Sequence, residues 1–127
     1  MISFFGKTEN GGYRPGIDIH GAPYDWRHSP DGWNTPDGGA FYMKLKMLIE
    51  TTYQRNEQQP VAIISHSLGG PAILGFLNLQ SDEWKRKFVK IFLPISGPFG
   101  GSTKHIFRKS PISTTGCIAD VLLISSA

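Results

Sequence analysis

Apolar residues change their spacing along this chain, and each change marks an element. Residues 16–20, GIDIH, alternate apolar and polar and predict a short strand leading into GAPYDWR. Residues 28–39, HSPDGWNTPDGG, are dense in Pro, Gly and Asp and predict a loop. Phe41, Leu45, Leu48, Ile49 and Thr52 then fall at helical spacing, predicting an amphipathic helix over 40–55 with Lys44, Lys46 and Glu50 outward. PVAIIS at 60–65 lacks polar alternation, as a parallel strand covered on both faces does. After Ser67, GGPAILGFLNLQ is apolar nearly all round, and Pro71 is tolerable in a first helical turn, where an N–H has no partner to lose. SDEWKRK is expected to end that helix in charge, and FVKIFLPIS at 88–96 to form the next buried strand.

Strand, helix, strand, helix, strand is the signature of a parallel α/β sheet with crossover helices. From 104 onward KHIFRKSPISTTGCIAD has no clear period, and VLLISSA is a strand-like tail with nothing after it to cover it. The chain therefore divides into an α/β part, 1–104, and a divergent tail, 105–127, with an incomplete sheet open at both edges.

Composition narrows the classes. One domain fits in 127 residues, and 39% hydrophobic with 18% charged residues argues for a globular protein rather than disorder. A net charge of +3 falls short of a nucleic-acid-binding balance. The single cysteine, Cys117, excludes an internal disulfide and a cysteine-based metal site, and no cofactor motif is present. The apolar run in MISFFGKTEN is too short for a signal peptide, and no stretch could span a membrane as a helix. Read literally, such a chain stays in the cytoplasm.

The candidate chemistry lies in SHSLG, 65–69. A serine hydroxyl is a poor nucleophile unless a base takes its proton and donors stabilise the oxyanion. A sharp strand-to-helix elbow lifts the hydroxyl clear of the sheet and aims the next residue's N–H at the oxyanion. That makes Ser67 the candidate nucleophile and the Leu68 N–H a candidate oxyanion donor. The usual pattern is G-x-S-x-G, and here Ser65 stands at the first glycine, a position where only a small residue fits. The competing reading is an ordinary loop rich in Ser and Gly, but the apolar strand before and apolar helix after favour the elbow. His66 is expected to point away from the hydroxyl.

GAPYDWR at 21–27 and ISGPFGGS at 95–102, flanking HSLG in order and distance, resemble the lecithin:cholesterol acyltransferase family, which includes the lysosomal phospholipase A2 acyltransferases. The similarity covers roughly 10–104. Phe99 stands where that family usually has Trp, and Ser96-Gly97-Pro98 where it usually has Gly-Ala-Pro. The resemblance implies the central part of an α/β-hydrolase fold. It implies a serine enzyme that takes an acyl group from a glycerophospholipid at a membrane or lipoprotein surface. The acyl group would pass through an acyl-enzyme to a lipophilic alcohol or to water. It implies a lysosomal or secreted full-length protein, no nucleic acid partner and no cofactor. Within GAPYDWR, Asp25 and Arg27 are expected to pair, with Tyr24 and Trp26 packed under the sheet edge. The run Lys85, Arg86, Lys87, Lys90 could meet an anionic lipid surface, or be a solvated helix end suited to the dipole.

A triad in this fold runs Ser, acid, His along the chain. After Ser67 the carboxylates are Asp82, Glu83 and Asp120, and the histidine is His105. Asp82 and Glu83 lie about 15 residues on, ~22 Å along a helix, and Asp120 after His105 inverts the order. The chain thus reads as a middle piece of a serine acyltransferase whose acid and base lie elsewhere. Two alternatives stay open: a truncated, non-catalytic product that binds lipid or a partner, and another lipase or thioesterase of the same fold.

Overall fold

The computed structural model describes residues 13–37, 39–101 and 121–125. In chain order the elements are β1 (Ile19–Gly21), α1 (Pro30–Trp33), α2 (Phe41–Arg55), β2 (Val61–His66), α3 (Gly69–Asn78), α4 (Asp82–Phe88), β3 (Val89–Ile95) and β4 (Val121–Ile124). They build an α/β unit on a four-stranded open sheet in the order β1-β4-β2-β3.

β3 runs parallel to β2, and β4 runs antiparallel to both β1 and β2. It follows that β1, β2 and β3 all point the same way, as the alternation of elements predicts. β4 departs from prediction. The tail expected to lie uncovered is the second strand of the sheet, with Val121 1%, Leu122 7% and Leu123 0% exposed. Its register, Ser65 opposite Val121 and Ile63 opposite Leu123, satisfies backbone groups that β1 and β2 would otherwise leave unpaired. Residues 105–120 lie outside the described residues, as do His105, Cys117 and Asp120.

α2, α3 and α4 cover one face of the sheet. Val61 and Ile63 from β2, with Val121 and Leu123 from β4, meet Leu45, Ile49, Ala72, Ile73 and Phe76 in one core. Tyr42 lies 5.8 Å from Phe76, and Phe76 lies 5.7 Å edge-on to Trp84, so aromatic contacts tie the three helices together. Burying a side chain as completely as Phe76, 0% exposed, stabilises by about 1.5–3 kcal/mol. The Tyr42 hydroxyl is pushed up to about 12, by burial first and the charge of Asp31 second.

The opposite face differs from expectation. Ala62 and Ile64 are only half-buried, and Ile91, Leu93 and Ile95 of the edge strand β3 are 46%, 43% and 48% exposed. Neither β2 nor β3 is therefore covered on both faces among the described residues.

Three local readings are also corrected. The 28–39 loop contains one helical turn, α1, because the Ser29 hydroxyl accepts from the Gly32 N–H, with Pro30 at the first helical position. SDEWKRK is a separate helix rather than the end of α3, since the Ser81 hydroxyl caps it by accepting from the Trp84 N–H. Glu50 is not simply outward: it is half-buried and accepts from Trp84 Nε1 at 2.7 Å.

Candidate active site

β2 ends at His66 and α3 begins at Gly69, leaving Ser67 and Leu68 to make the whole turn. A reversal that short forces Ser67 into the left-handed region, φ 51°. Such a conformation costs a non-glycine residue about 1–2 kcal/mol and persists only where the surroundings fix it. Here they do. The Ser67 N–H donates to Ile95 O at 2.9 Å, tying the turn to β3, while Ser67 O accepts from the Gly70 N–H at 3.0 Å. The first α-helical bond, Ala72 N–H to Leu68 O at 3.2 Å, follows at once.

The small residues around the turn have visible reasons. Ser65 is 1% exposed on the same face of β2 as Val61 and Ile63, opposite Val121, so it has a buried position that suits a small side chain. A Cβ on Gly70 would stand 3.1 Å from Phe99 Cζ and 3.2 Å from Gly97 Cα. The start of α3 is thus pressed against the loop after β3, which leaves no room for a side chain at Gly70. Ser96, directly after β3, also takes a left-handed φ of 52°. Both strands therefore end in the same kind of bend, side by side at one sheet edge.

Ser67 is exposed, and no side chain among the described residues is hydrogen-bonded to its hydroxyl. The Leu68 N–H has no acceptor among the described residues, and it sits at the positive end of α3. An exposed serine hydroxyl followed in the chain by an unengaged N–H at a helix start is the local geometry that a strand-to-helix elbow provides. His66 is exposed at the last position of β2, whose side chains alternate faces, so it lies on the face away from the helices.

The loop after β1 reaches the same edge. Ala22 N–H donates to Val121 O at 2.9 Å, and Val121 pairs with Ser65 on its other side. Beyond it Arg27 grips Asp25 through Nε at 2.8 Å and Nη2 at 2.6 Å, and the Arg27 backbone N–H adds a third bond at 3.0 Å. Those hydrogen bonds hold the Asp25 carboxyl well below the usual carboxylate range. The expected pair is therefore present, though Arg27 is exposed. Tyr24 stacks at 4.9 Å on Phe41 and meets Trp33 edge-on at 5.1 Å. Trp33 donates to Asp25 O at 2.8 Å and is 3% exposed, a core anchor that the loop reading passed over.

Asp82 and Glu83 stand in the first turn of α4, where Asp82 pairs with Lys85 at 2.8 Å, and neither approaches the elbow by hydrogen bond. Lys87 lies over the Tyr53 and Phe88 rings at 5.9 and 5.1 Å. The basic run is thus partly engaged at a helix C-terminus.

Residues 2–117 match the lecithin:cholesterol acyltransferase family, a stretch that runs past residue 104 and stops short of β4. Lecithin-cholesterol acyltransferase-like 1 of Arabidopsis thaliana is 41% identical over 107 residues, which cover 83% of this chain and 25% of that protein. Lysosomal phospholipase A and acyltransferase of Bos taurus is 38% identical over 95 residues, 75% of this chain and 22% of the relative. Phosphatidylcholine-sterol acyltransferase of Gallus gallus is 36% identical over 97 residues, 76% of this chain and 22% of the relative. The chain spans about a quarter of the length of these relatives, and the elbow and the two loops beside it lie within the matched residues. It belongs to the lecithin:cholesterol acyltransferase family.

Proposed function

We propose that this chain carries the nucleophile of a lipid acyltransferase with phospholipase A activity on an α/β-hydrolase scaffold. The observation that carries the proposal is Ser67 at φ 51° between β2 and α3, with the Leu68 N–H unengaged beside it. The hydroxyl attacks an acyl ester carbonyl of a glycerophospholipid, a base takes its proton, and the Leu68 N–H donates to the oxygen as it becomes negative. Collapse of the tetrahedral species expels the lyso-lipid alcohol and leaves the acyl group on Ser67. A lipophilic alcohol or water then attacks that ester and releases the serine.

The reaction needs an acid and a histidine that no described residue supplies to Ser67. In this proposal they come from sequence outside these 127 residues, together with a second oxyanion donor. The chain alone then has no measurable turnover, because loss of the base costs orders of magnitude and the remaining catalysis needs the oxyanion hole and substrate binding. The full-length protein works at a membrane or lipoprotein surface, in the lysosome or outside the cell.

The test is acyl transfer from phospholipid vesicles to a long-chain alcohol by a protein that carries this chain within the length of its relatives. Activity that Ser67→Ala abolishes is the expected result, and activity indifferent to Ser67→Ala would refute the proposal. One observation favours a second reading. β4 fills the gap between β1 and β2 with an antiparallel strand, so the 127-residue product can pair its central strands without further sequence. In that reading it is a non-catalytic binding remnant, and a transcript that ends at Ala127 with no longer form would support it.

A further inference from the structure

The pairing of β2 with β3 continues one step past the strands themselves. Their last registered partners are His66 and Ile95, and the Ser67 N–H donates to Ile95 O at 2.9 Å, which is the next bond of the same parallel ladder. Ser67 and Ser96 therefore stand opposite each other, with Cα atoms about 4.8 Å apart, the spacing of neighbouring strands. Both are exposed, and both take the left-handed region, at φ 51° and 52°. Matched residues of a ladder carry their side chains on one side, and equal bends keep the two together.

Glycine adopts that conformation freely, and serine only at a cost in free energy. In the proposed function Ser67 bears the cost as the nucleophile. Packing gives Ser96 no comparable reason, since its side chain is exposed and has no hydrogen-bond partner among the described residues. Strain of this kind persists at functional sites. With its root about 4.8 Å from that of Ser67, the Ser96 hydroxyl comes within hydrogen-bond reach of an oxygen atom approaching a group carried on Ser67.

We propose that Ser96 selects the acyl acceptor: its hydroxyl oxygen accepts a hydrogen bond from the water that attacks the acyl ester on Ser67, which favours hydrolysis over transfer to an alcohol. The proposal rests on the acyl-transfer reading. An attacking water has two hydrogens. One goes to the base as the water oxygen bonds to the ester carbonyl carbon, and the other is left for Ser96 Oγ. The tetrahedral species then collapses: the bond from carbon to Ser67 Oγ breaks, the base returns its proton to that oxygen, and a free fatty acid leaves. An alcohol attacks by the same steps. Its one hydroxyl hydrogen goes to the base, so it has none to give Ser96. The discrimination is thus one hydrogen bond made in the transition state of deacylation.

The test is the partition of a single acyl-enzyme between two acceptors. A protein carrying this chain within the length of its relatives is given phospholipid vesicles that hold a long-chain alcohol, and free fatty acid and alkyl ester are measured together. Ser96→Ala removes the hydroxyl and keeps the Cβ in its bend, whereas Ser96→Gly removes the hydroxyl and the strain. Each should lower the ratio of acid to ester about three- to tenfold, as expected for one hydrogen bond. The ratio does not depend on how much protein is folded or how fast Ser67 acylates, so a merely structural loss would leave it where it was. Ser67-dependent activity with an unmoved ratio would overturn the role of Ser96 alone, as would a fall in Ser96→Gly only, which would assign the effect to the backbone. Activity indifferent to Ser67→Ala would overturn the acyl-transfer reading and this proposal together. The juxtaposition is tested on the 127-residue chain without turnover, in a Cys117→Ser background. There Ser67→Cys combined with Ser96→Cys should form a disulfide under mild oxidation, because Cα atoms about 4.8 Å apart lie within its span. Two thiols that stay free in a chain folded by circular dichroism would overturn the pairing of the two serines, and the proposal with it.

Discussion

Replacing Ser67 by glycine should stabilise the chain, although it deletes the candidate nucleophile. The reason is its φ of 51°. A left-handed conformation costs a residue with a Cβ about 1–2 kcal/mol, and glycine escapes that cost. Glycine also gives the unfolded chain more freedom, which offsets about 0.4–1 kcal/mol. The balance is a gain of roughly 0.5–1 kcal/mol. Ser67→Ala keeps the Cβ and the strain, and it removes an exposed hydroxyl, so it should fall within about 0.5 kcal/mol of the parent. With a urea slope of about 1.5 kcal/mol/M for a domain of this size, the glycine midpoint should lie ~0.3–0.7 M above the alanine midpoint. The assay is urea unfolding followed by tryptophan fluorescence. A glycine variant less stable than the alanine variant is what an ordinary extended or helical site would give. That result would refute the elbow geometry.

Other consequences follow from neighbouring contacts. Gly70→Val should cost about 1–3 kcal/mol by calorimetry, because its Cβ meets the Gly97 backbone at 3.2 Å and not only the movable Phe99 ring; an unchanged melting temperature would mean the loop after β3 does not press on α3. Trp84→Phe retains a ring against Phe76 but strands Glu50, and should cost about 1–2 kcal/mol in urea; a neutral result would show that the 2.7 Å bond is not held in solution. The Asp25 carboxyl, lowered by Arg27, contributes stability that is present above its unfolded value and lost as pH falls through the depressed folded value. Its NMR titration should therefore have a midpoint well below the usual carboxylate range, and an ordinary midpoint would show that the ion pair is not maintained.

The elbow was legible because it is local: a buried strand, two small residues and an apolar helix sit within 61–78, so periodicity and sterics meet in one stretch. The helix from Phe41 to Arg55 was legible for the same reason. β4 was not. VLLI reads as a strand, but nothing in its own spacing says that it inserts between β1 and β2, because that pairing joins residues far apart in the chain. The break between α3 and α4 was present as Ser81, an N-cap three residues before Trp84, yet the apolar run and the charged run were merged across it. The exposure of Ile91, Leu93 and Ile95 was hidden by composition, since an apolar strand looks equally buried whether or not a second layer covers it. For the candidate site, the sequence singled out the turn at Ser67 and Leu68, while the anchoring of Trp33 emerged only once the loop after β1 was folded back.

The central claim is that Ser67 becomes acylated, and the most direct measurement is the modified residue itself. A protein carrying this chain within the length of its relatives should be treated with a slowly turned-over fatty-acyl ester, or with an alkyl fluorophosphonate that phosphonylates the same hydroxyl with loss of fluoride, digested with trypsin, and sequenced by tandem mass spectrometry. The account predicts one modified tryptic peptide, residues 56–85, with the added mass on Ser67, absent in Ser67→Ala and unchanged in Ser65→Ala. Label on a different serine, or none on a protein that turns over phospholipid, would contradict it.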